Sequence, residues 1–198
     1  MRVGLFGGSF DPPHLGHLAV AGEVRRRFAL DRLLLAPVAA QPLKPGGAHA
    51  SFTDRLHMVE LLCAAAPGIE ASAIDAPRPD GAPNYTIDTL RRLREELPAG
   101  AEIFIIVGAD AFLGIHHWKD SDDLLREARW IVVSRPGFEI PPSLALTPEQ
   151  CSRVEILTGL ANPVSATEVR ERLHEHRGEE LVPPKVLEYI KTHHLYGT

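Results

Sequence analysis

Four runs in this chain are apolar at consecutive positions: RVGLF at 2–6, RLLLAPV at 32–38, the centre of EIFIIVG at 102–108, and WIVVSR at 130–135. A strand that is apolar on both faces must be covered on both faces, as in a parallel sheet between two layers of helix. The segments between the runs supply those helices. From Leu15 to Phe28 apolar residues recur at helical spacing (Leu15, Leu18, Ala19, Gly22, Val24), so the first forty residues read β-α-β with a crossover long enough for parallel strands. Thr53 is expected to cap a helix reaching Ala66, and a helix opens at Thr86 or Ile87 and runs to Leu97. IEASAI at 69–74 is a weak strand, VEIL at 154–157 a last one, and 39–51, 75–84 and 136–150 are loops. Helices are expected from Ser165 to His174 and from Pro183-Pro184 to Lys191. Alternating strand and helix predict an α/β, doubly wound, Rossmann-like parallel sheet. The expectation is a single domain over 1–198 with a helical C-terminal part from about 163 to 198.

The formal net charge of −5 argues against a polynucleotide partner, although local positive groups can still bind a small anion. Cys63 and Cys151 are far apart in sequence, which excludes a disulfide framework or a cysteine zinc site. No apolar run approaches the ~18 residues of a membrane span. The first ten residues are too short and too glycine-rich for a signal peptide. These features predict a cytoplasmic protein with no membrane partner, and leave a homo-oligomer open.

A doubly wound sheet binds its ligand at the carboxyl ends of its strands. GGSFDPPHLGHL, residues 7–18, occupies the carboxyl end of the first strand. Gly7, Gly8 and Ser9 let backbone approach a ligand closely, and turn N–H groups can face anionic oxygens. Asp11-Pro12 reads as a helix cap with proline in the first turn, and the helix start favours phosphate. His14 and His17 are neighbours at i and i+3, with Gly16 keeping the surface between them low. The plain alternative is a strand–turn–helix corner with two incidental histidines. The segment is neither a Walker A loop nor a G-x-G-x-x-G fingerprint, and H-L-G-H lacks the glutamate of a zinc H-E-x-x-H motif. No carboxylate cluster has metal-site spacing, so no protein metal ligands are expected.

Taken whole, G-G-S-F-D-P-P-H-L-G-H resembles the signature of the H-x-G-H nucleotidyltransferases. NYTIDTL at 84–90, GADAFLGIHHWKD at 108–120, VSRPG at 133–137, VSATEVR at 164–170 and PPKVLEYIKTHHLY at 183–196 resemble blocks of its nicotinate-nucleotide adenylyltransferase branch. The resemblance implies adenylyl transfer from ATP to nicotinate mononucleotide, giving nicotinate adenine dinucleotide and pyrophosphate, a step of NAD biosynthesis. It implies Mg2+ bound mainly through the ATP phosphates. His14, His17 and Arg170 become the expected catalytic residues, the histidines supplying donors and positive charge. Gly7, Gly8, Ser9, Phe10, Gly108, Asp110, Ser134, Arg135, Ser165 and Thr167 join them as the expected ATP site. Lys44, Tyr85, Thr86, Asp110, Trp118 and Arg135 are expected around the acceptor.

Each position has a physical rationale and a plainer structural reading. Free N–H groups near Thr86 suit the nicotinate carboxylate, and Trp118 a stack on the pyridine ring, but the same residues serve as a helix cap and a packing tryptophan. Asp110 suits a ribose hydroxyl or a helix cap. Arg135 suits phosphate by its fork, while Lys44 sits in a loop where a solvated lysine is the ordinary outcome. Ser165, Thr167 and Arg170 suit the departing phosphates, or a cap with a surface arginine. Leu43 stands where the family usually has histidine, and Asn84 where serine is common. Arg25-Arg26-Arg27, His116-His117 and His193-His194 are expected on solvated surface. Transfer to the amidated mononucleotide, and a noncatalytic nucleotide-binding module, are the competing readings.

Overall fold

The computed structural model describes residues 1–39, 48–134, 137–159 and 164–198. Its elements in chain order are β1 (Arg2–Gly8), α1 (Leu15–Arg27), β2 (Arg32–Pro37), α2 (Phe52–Cys63), β3 (Ile69–Ala71), α3 (Thr86–Glu96), β4 (Glu102–Gly108), α4 (Ala109–Phe112), α5 (Ser121–Glu127), β5 (Arg129–Val133), α6 (Pro148–Cys151), β6 (Val154–Leu157), α7 (Ala166–His174) and α8 (Pro184–Thr192). The six strands form one sheet in the order β3-β2-β1-β4-β5-β6, and every pair is parallel.

Successive side chains of a strand point to opposite faces, and both faces here are covered. On one face Phe104, Ile106, Leu33 and Leu35 pack with Ala21 and Val24 of α1, Met58 and Leu62 of α2, Val169 of α7 and Ile190 of α8. On the other, Ile103, Ile105, Val107 and Trp130 pack with Ile87, Leu90 and Leu93 of α3 and with Leu124 and Leu125 of α5. The two-sided burial is the physical reason that these strands read as continuous apolar runs. Among the described residues no helix is long and apolar enough to cross a membrane.

Several boundaries differ from the sequence reading. Ser51, not Thr53, caps α2, its Oγ accepting from Asp54 N at 3.1 Å. The weak strand at 69–74 forms only over Ile69–Ala71, because β3 is an edge that pairs with β2 alone. The loop at 136–150 contains α6, started by a reciprocal cap between Thr147 and Gln150. Arg25 is not wholly solvated: it lies over Gly68, where an added Cβ would come within 2.3 Å of its Nε.

Gly4 shows how tightly the sheet centre is filled. A Cβ there would lie 2.5 Å from Leu33 Cδ1, 2.8 Å from Leu30 Cδ1 and 3.0 Å from Ile106 Cδ1. Three side-chain ends must then move together in an interior already at crystal-like density. Gly4→Ala is expected to lower stability by about 1–3 kcal/mol in denaturant unfolding; an unchanged midpoint would contradict this packing.

Candidate functional site

From β1 the chain builds β2 and β3 on one side, then returns to add β4 on the other. The reversal leaves a crevice at the carboxyl ends of β1 and β4, the place where doubly wound sheets bind ligands. Phe6 pairs with Ile106, so two residues further on Gly8 and Gly108 leave the sheet side by side. A Cβ on Gly108 would meet nothing within 4 Å, and one on Gly7 only Val38 Cγ1 at 3.9 Å. Open space therefore faces the end of β4 and Gly7, while Gly8 lies against Phe10, whose ring an added Cβ would approach to 3.2 Å.

The segment after β1 turns sharply. Phe10 has φ 47°, and its fully buried ring lies 4.8 Å from the His17 ring, so the ring forms the floor under that histidine. Asp11 does not cap α1. The cap is His14, whose Nδ1 accepts from Gly16 N at 3.2 Å, while His17 Nδ1 accepts from His14 N at 3.2 Å. Gly16 is thus buried in the cap rather than exposed between the rings. With both Nδ1 atoms accepting, each ring carries its proton on Nε2. The two rings are 3.8 Å apart. Burial pulls the His14 pKa down to about 4. Burial, with the neighbouring His14 charge second, holds His17 well below its ordinary value. The lowered pKa values favour neutral rings in the ligand-free protein, so that the pair offers two N–H donors.

Asp11 acts instead as a junction. It is 3% exposed, and its Oδ1 accepts from Tyr196 Oη at 2.7 Å and Ala50 N at 3.1 Å, its Oδ2 from His49 N at 2.7 Å. Its carbonyl accepts from Arg170 Nη1 at 2.6 Å. Arg170 also donates to Thr167 Oγ1 at 3.2 Å, which sets α7 against the histidine loop. Ser165 caps α7, its Oγ accepting from Glu168 N at 3.1 Å. Arg55 of α2, 2% exposed, donates to the carbonyls of Ser9 at 2.7 Å, Val38 at 2.9 Å and Ala50 at 3.3 Å. Sequence reading missed Arg55 and Tyr196. Arg55 had a signal, since it shares the buried stripe of α2 with Met58, Val59 and Leu62. Tyr196 closed the PPKVLEYIKTHHLY block, but no local pattern pointed to its partner 185 residues away.

The expected acceptor residues gather on the α3 side. Tyr85, 38% exposed, is the residue before α3 and gives no side-chain cap. Its carbonyl accepts from Asp88 N and Thr89 N, each at 3.0 Å. Thr86 and Ile87 occupy the first two helical positions, whose N–H groups have no carbonyl behind them. Lys119 Nζ sits 4.8 Å over the Tyr85 ring and 3.0 Å from Asp88 Oδ2, pinning the segment that carries Trp118 to the start of α3. Trp118 is half-buried, its ring edge-on to Trp130 at 6.1 Å. Gly108, not Asp110, precedes α4 as its cap, and Asp110 is exposed in the first turn. Ser134 follows β5 directly, its N–H bonded to Leu157 O at 2.9 Å. Lys44, Leu43 and Arg135 lie outside the described residues.

The cytidylyltransferase-like family profile matches residues 5–172. The chain is 40% identical over 199 residues to the probable nicotinate-nucleotide adenylyltransferase of Solibacter usitatus, covering all of both chains. It is 40% identical to that of Gloeobacter violaceus, covering 98% of this chain and 96% of the relative. The chain belongs to the nicotinate-nucleotide adenylyltransferase family. A nicotinic acid mononucleotide adenylyltransferase of Plasmodium falciparum, solved in complex with NaAD, shares its fold with a TM-score of 0.77, at 18% identity and covering 98% of this chain and 97% of that one. This family member is an enzyme, a nucleotidyltransferase on a Rossmann-like sheet.

Two measurements test the histidine geometry. His17→Ala is expected to lower turnover by about 10²–10³, the effect of losing one preorganised donor, while the lost cap bond to His14 N costs only about 0.5–2 kcal/mol of stability; near-normal turnover would remove His17 from the site. The second concerns pH. His14 binds a proton below about 6.5 in the unfolded chain but only near 4 in the folded one. Between those values the unfolded state holds the extra proton, so His14 costs nothing above this window and costs stability as pH falls through it. His14→Asn keeps a capping oxygen and is expected to flatten this part of the stability–pH curve. Parallel curves for wild type and variant would contradict the burial.

Proposed function

We propose that the chain catalyses attack by the phosphate of nicotinate mononucleotide on the α-phosphorus of ATP. An acceptor oxygen forms the new P–O bond, the bond from the α-phosphorus to the α,β-bridging oxygen breaks, and pyrophosphate leaves with that electron pair. The product is nicotinate adenine dinucleotide. The observation that carries the reading is the pair of Nε2–H donors, held at the carboxyl end of β1 by backbone bonds to both Nδ1 atoms. Charge moves onto the departing phosphate oxygens in this reaction, and donors already oriented toward it need no reorganisation.

In this reading His14 and His17 donate to the triphosphate, with the N–H groups of Gly8 to Phe10 beside them. Thr167 and Arg170 approach the β,γ-phosphates from α7. Gly108 leaves room for the nucleoside, Asp110 takes a ribose hydroxyl, and Ser134 closes the β5 side. Lys44 and Arg135 stay assigned to phosphate oxygens. On the acceptor side Thr86 and Ile87 N–H meet the nicotinate carboxylate, and Tyr85 and Trp118 flank the ring. All of these belong to one domain spanning 1–198.

Adenylyl transfer from ATP generally involves a divalent metal, and Mg2+ is the ion proposed here. Among the described residues no group of three or more His, Cys, Asp or Glu side chains is placed to hold a metal ion. Asp11, three residues before His14, spends both oxygens on protein donors. That donor set fits an ion carried by the phosphates and water rather than by a protein cage. When bound there, Mg2+ supplies charge neutralisation on the phosphate oxygens. Pyrophosphate release is expected to vanish in excess chelator and return with added Mg2+; full activity in chelator would remove the metal.

The acceptor test compares nicotinate and nicotinamide mononucleotides. The carboxylate accepts from every N–H at the start of α3, whereas the amide must turn its NH2 toward a donor or leave one unpaired. An unpaired buried polar group costs about 1–3 kcal/mol. At roughly 1.4 kcal/mol per factor of ten, kcat/KM is expected to favour the acid by about tenfold or more. Trp118→Ala is expected to weaken both acceptors and keep the preference, because stacking does not read the carboxylate. Equal use of both by wild type would assign the chain to the amide; preference lost in Trp118→Ala would move the discrimination to the tryptophan.

A further inference from the structure

The turn Leu195–Gly197 follows α8, and Leu195 and Tyr196 pack on the core that α1, α2, α7 and α8 share. Tyr196 within it has φ 59°, the left-handed region that a bulky side chain adopts only when its surroundings hold it there. Two contacts hold it. A Cβ on Gly197 would lie 2.6 Å from His174 Nδ1, so the turn is pressed against α7. The Tyr196 hydroxyl donates to Asp11 Oδ1 at 2.7 Å. Burial and the Asp11 carboxylate keep that phenol protonated by raising its pKa.

Asp11 is one residue from Phe10, the floor of the His17 ring, and three from His14. Its other partners come from α7, through Arg170, and from the start of α2, through His49 and Ala50. The tyrosine hydroxyl therefore bonds neither histidine, but the carboxylate of the residue from which the histidine loop departs. We propose that Tyr196 is a positioning residue for the nucleotide half of the site, acting through the Asp11 carboxylate. This rests on the adenylyl-transfer reading. It assigns the hydroxyl an effect on ATP and pyrophosphate and none on the mononucleotide, whose proposed binding groups lie on α3 and beside Trp118.

Tyr196→Phe removes only the hydroxyl and keeps the packed ring. Tyr189→Phe is the matched control: its hydroxyl also donates to a carboxylate, Asp54 Oδ1 at 2.9 Å, but between α8 and α2 and away from the histidine loop. Both variants are compared with wild type for KM of ATP, KM of nicotinate mononucleotide, kcat, thermal midpoint, and calorimetric affinity for a non-hydrolysable ATP analogue. Tyr196→Phe is expected to raise the ATP KM and weaken analogue affinity by about tenfold, as loss of a hydrogen bond to a charged group allows. Its mononucleotide KM should stay within about twofold of wild type, and Tyr189→Phe should leave both KM values unchanged. If the two variants shift the midpoint alike and leave ATP affinity alone, or if Tyr196→Phe raises both KM values equally, Tyr196 is structural and the proposal falls. Wild type that neither binds the analogue nor releases pyrophosphate would overturn the adenylyl-transfer reading, and this proposal with it.

Discussion

Asp11 sits between a buried phenylalanine and Pro12, with its carboxylate almost out of reach of solvent. Taking a carboxylate out of water is expensive, and it persists only where donors replace the lost hydration. Here the replacements come from distant parts of the chain: two backbone N–H groups at the start of α2 and a hydroxyl beyond α8. Arg55 crosses the same region, its guanidinium shared among three carbonyls that follow β1, follow β2 and precede α2. The loop after β1 is thereby tied to α2 and the segment before it, to α7 and to the turn beyond α8. Removing any one partner leaves a buried polar group unpaired, so the cost of holding this loop is also the reason it cannot drift.

That rigidity is what the histidines use. A free imidazole near neutral pH exists as two tautomers and a cation. Backbone N–H groups aimed at both Nδ1 atoms select one tautomer, and burial removes the cation. What remains is a pair of donors with fixed direction at the open end of β1. Neutral donors are also easier to hold 3.8 Å apart than two like charges. The folded protein is destabilised by this arrangement in acid, the local cost of holding both rings neutral.

The sheet was legible because its physics is local. Apolar runs with helical stretches between them admit few arrangements other than a covered parallel sheet, and EIFIIVG is β4 to the residue. The histidine pair was legible too, since i and i+3 spacing places two rings together. Asp11 was misread for an instructive reason. Asp-Pro before a helical run has the chemistry of a cap, but His14 takes the cap because His17 returns the bond three residues later. Asp11 was then free for partners that no local pattern encodes, above all Tyr196. Arg55 was readable in principle, as a cation in an apolar stripe, and Ser51 outcompeted Thr53 by a register of two residues that composition does not settle. Long-range hydrogen bonds carry no period in the sequence, and they are what the site depends on.

The central claim is that neutral, Nε2-protonated His14 and His17 receive the triphosphate at the carboxyl end of β1. Imidazole nitrogen NMR of the ligand-free protein, followed by titration with ATP and Mg2+, tests it directly. The account predicts two rings with the proton on Nε2 and none on Nδ1 at neutral pH, and Nε2 signals that move with saturation as ATP binds. Rings protonated on Nδ1, rings already cationic without ligand, or Nε2 signals indifferent to ATP would contradict it.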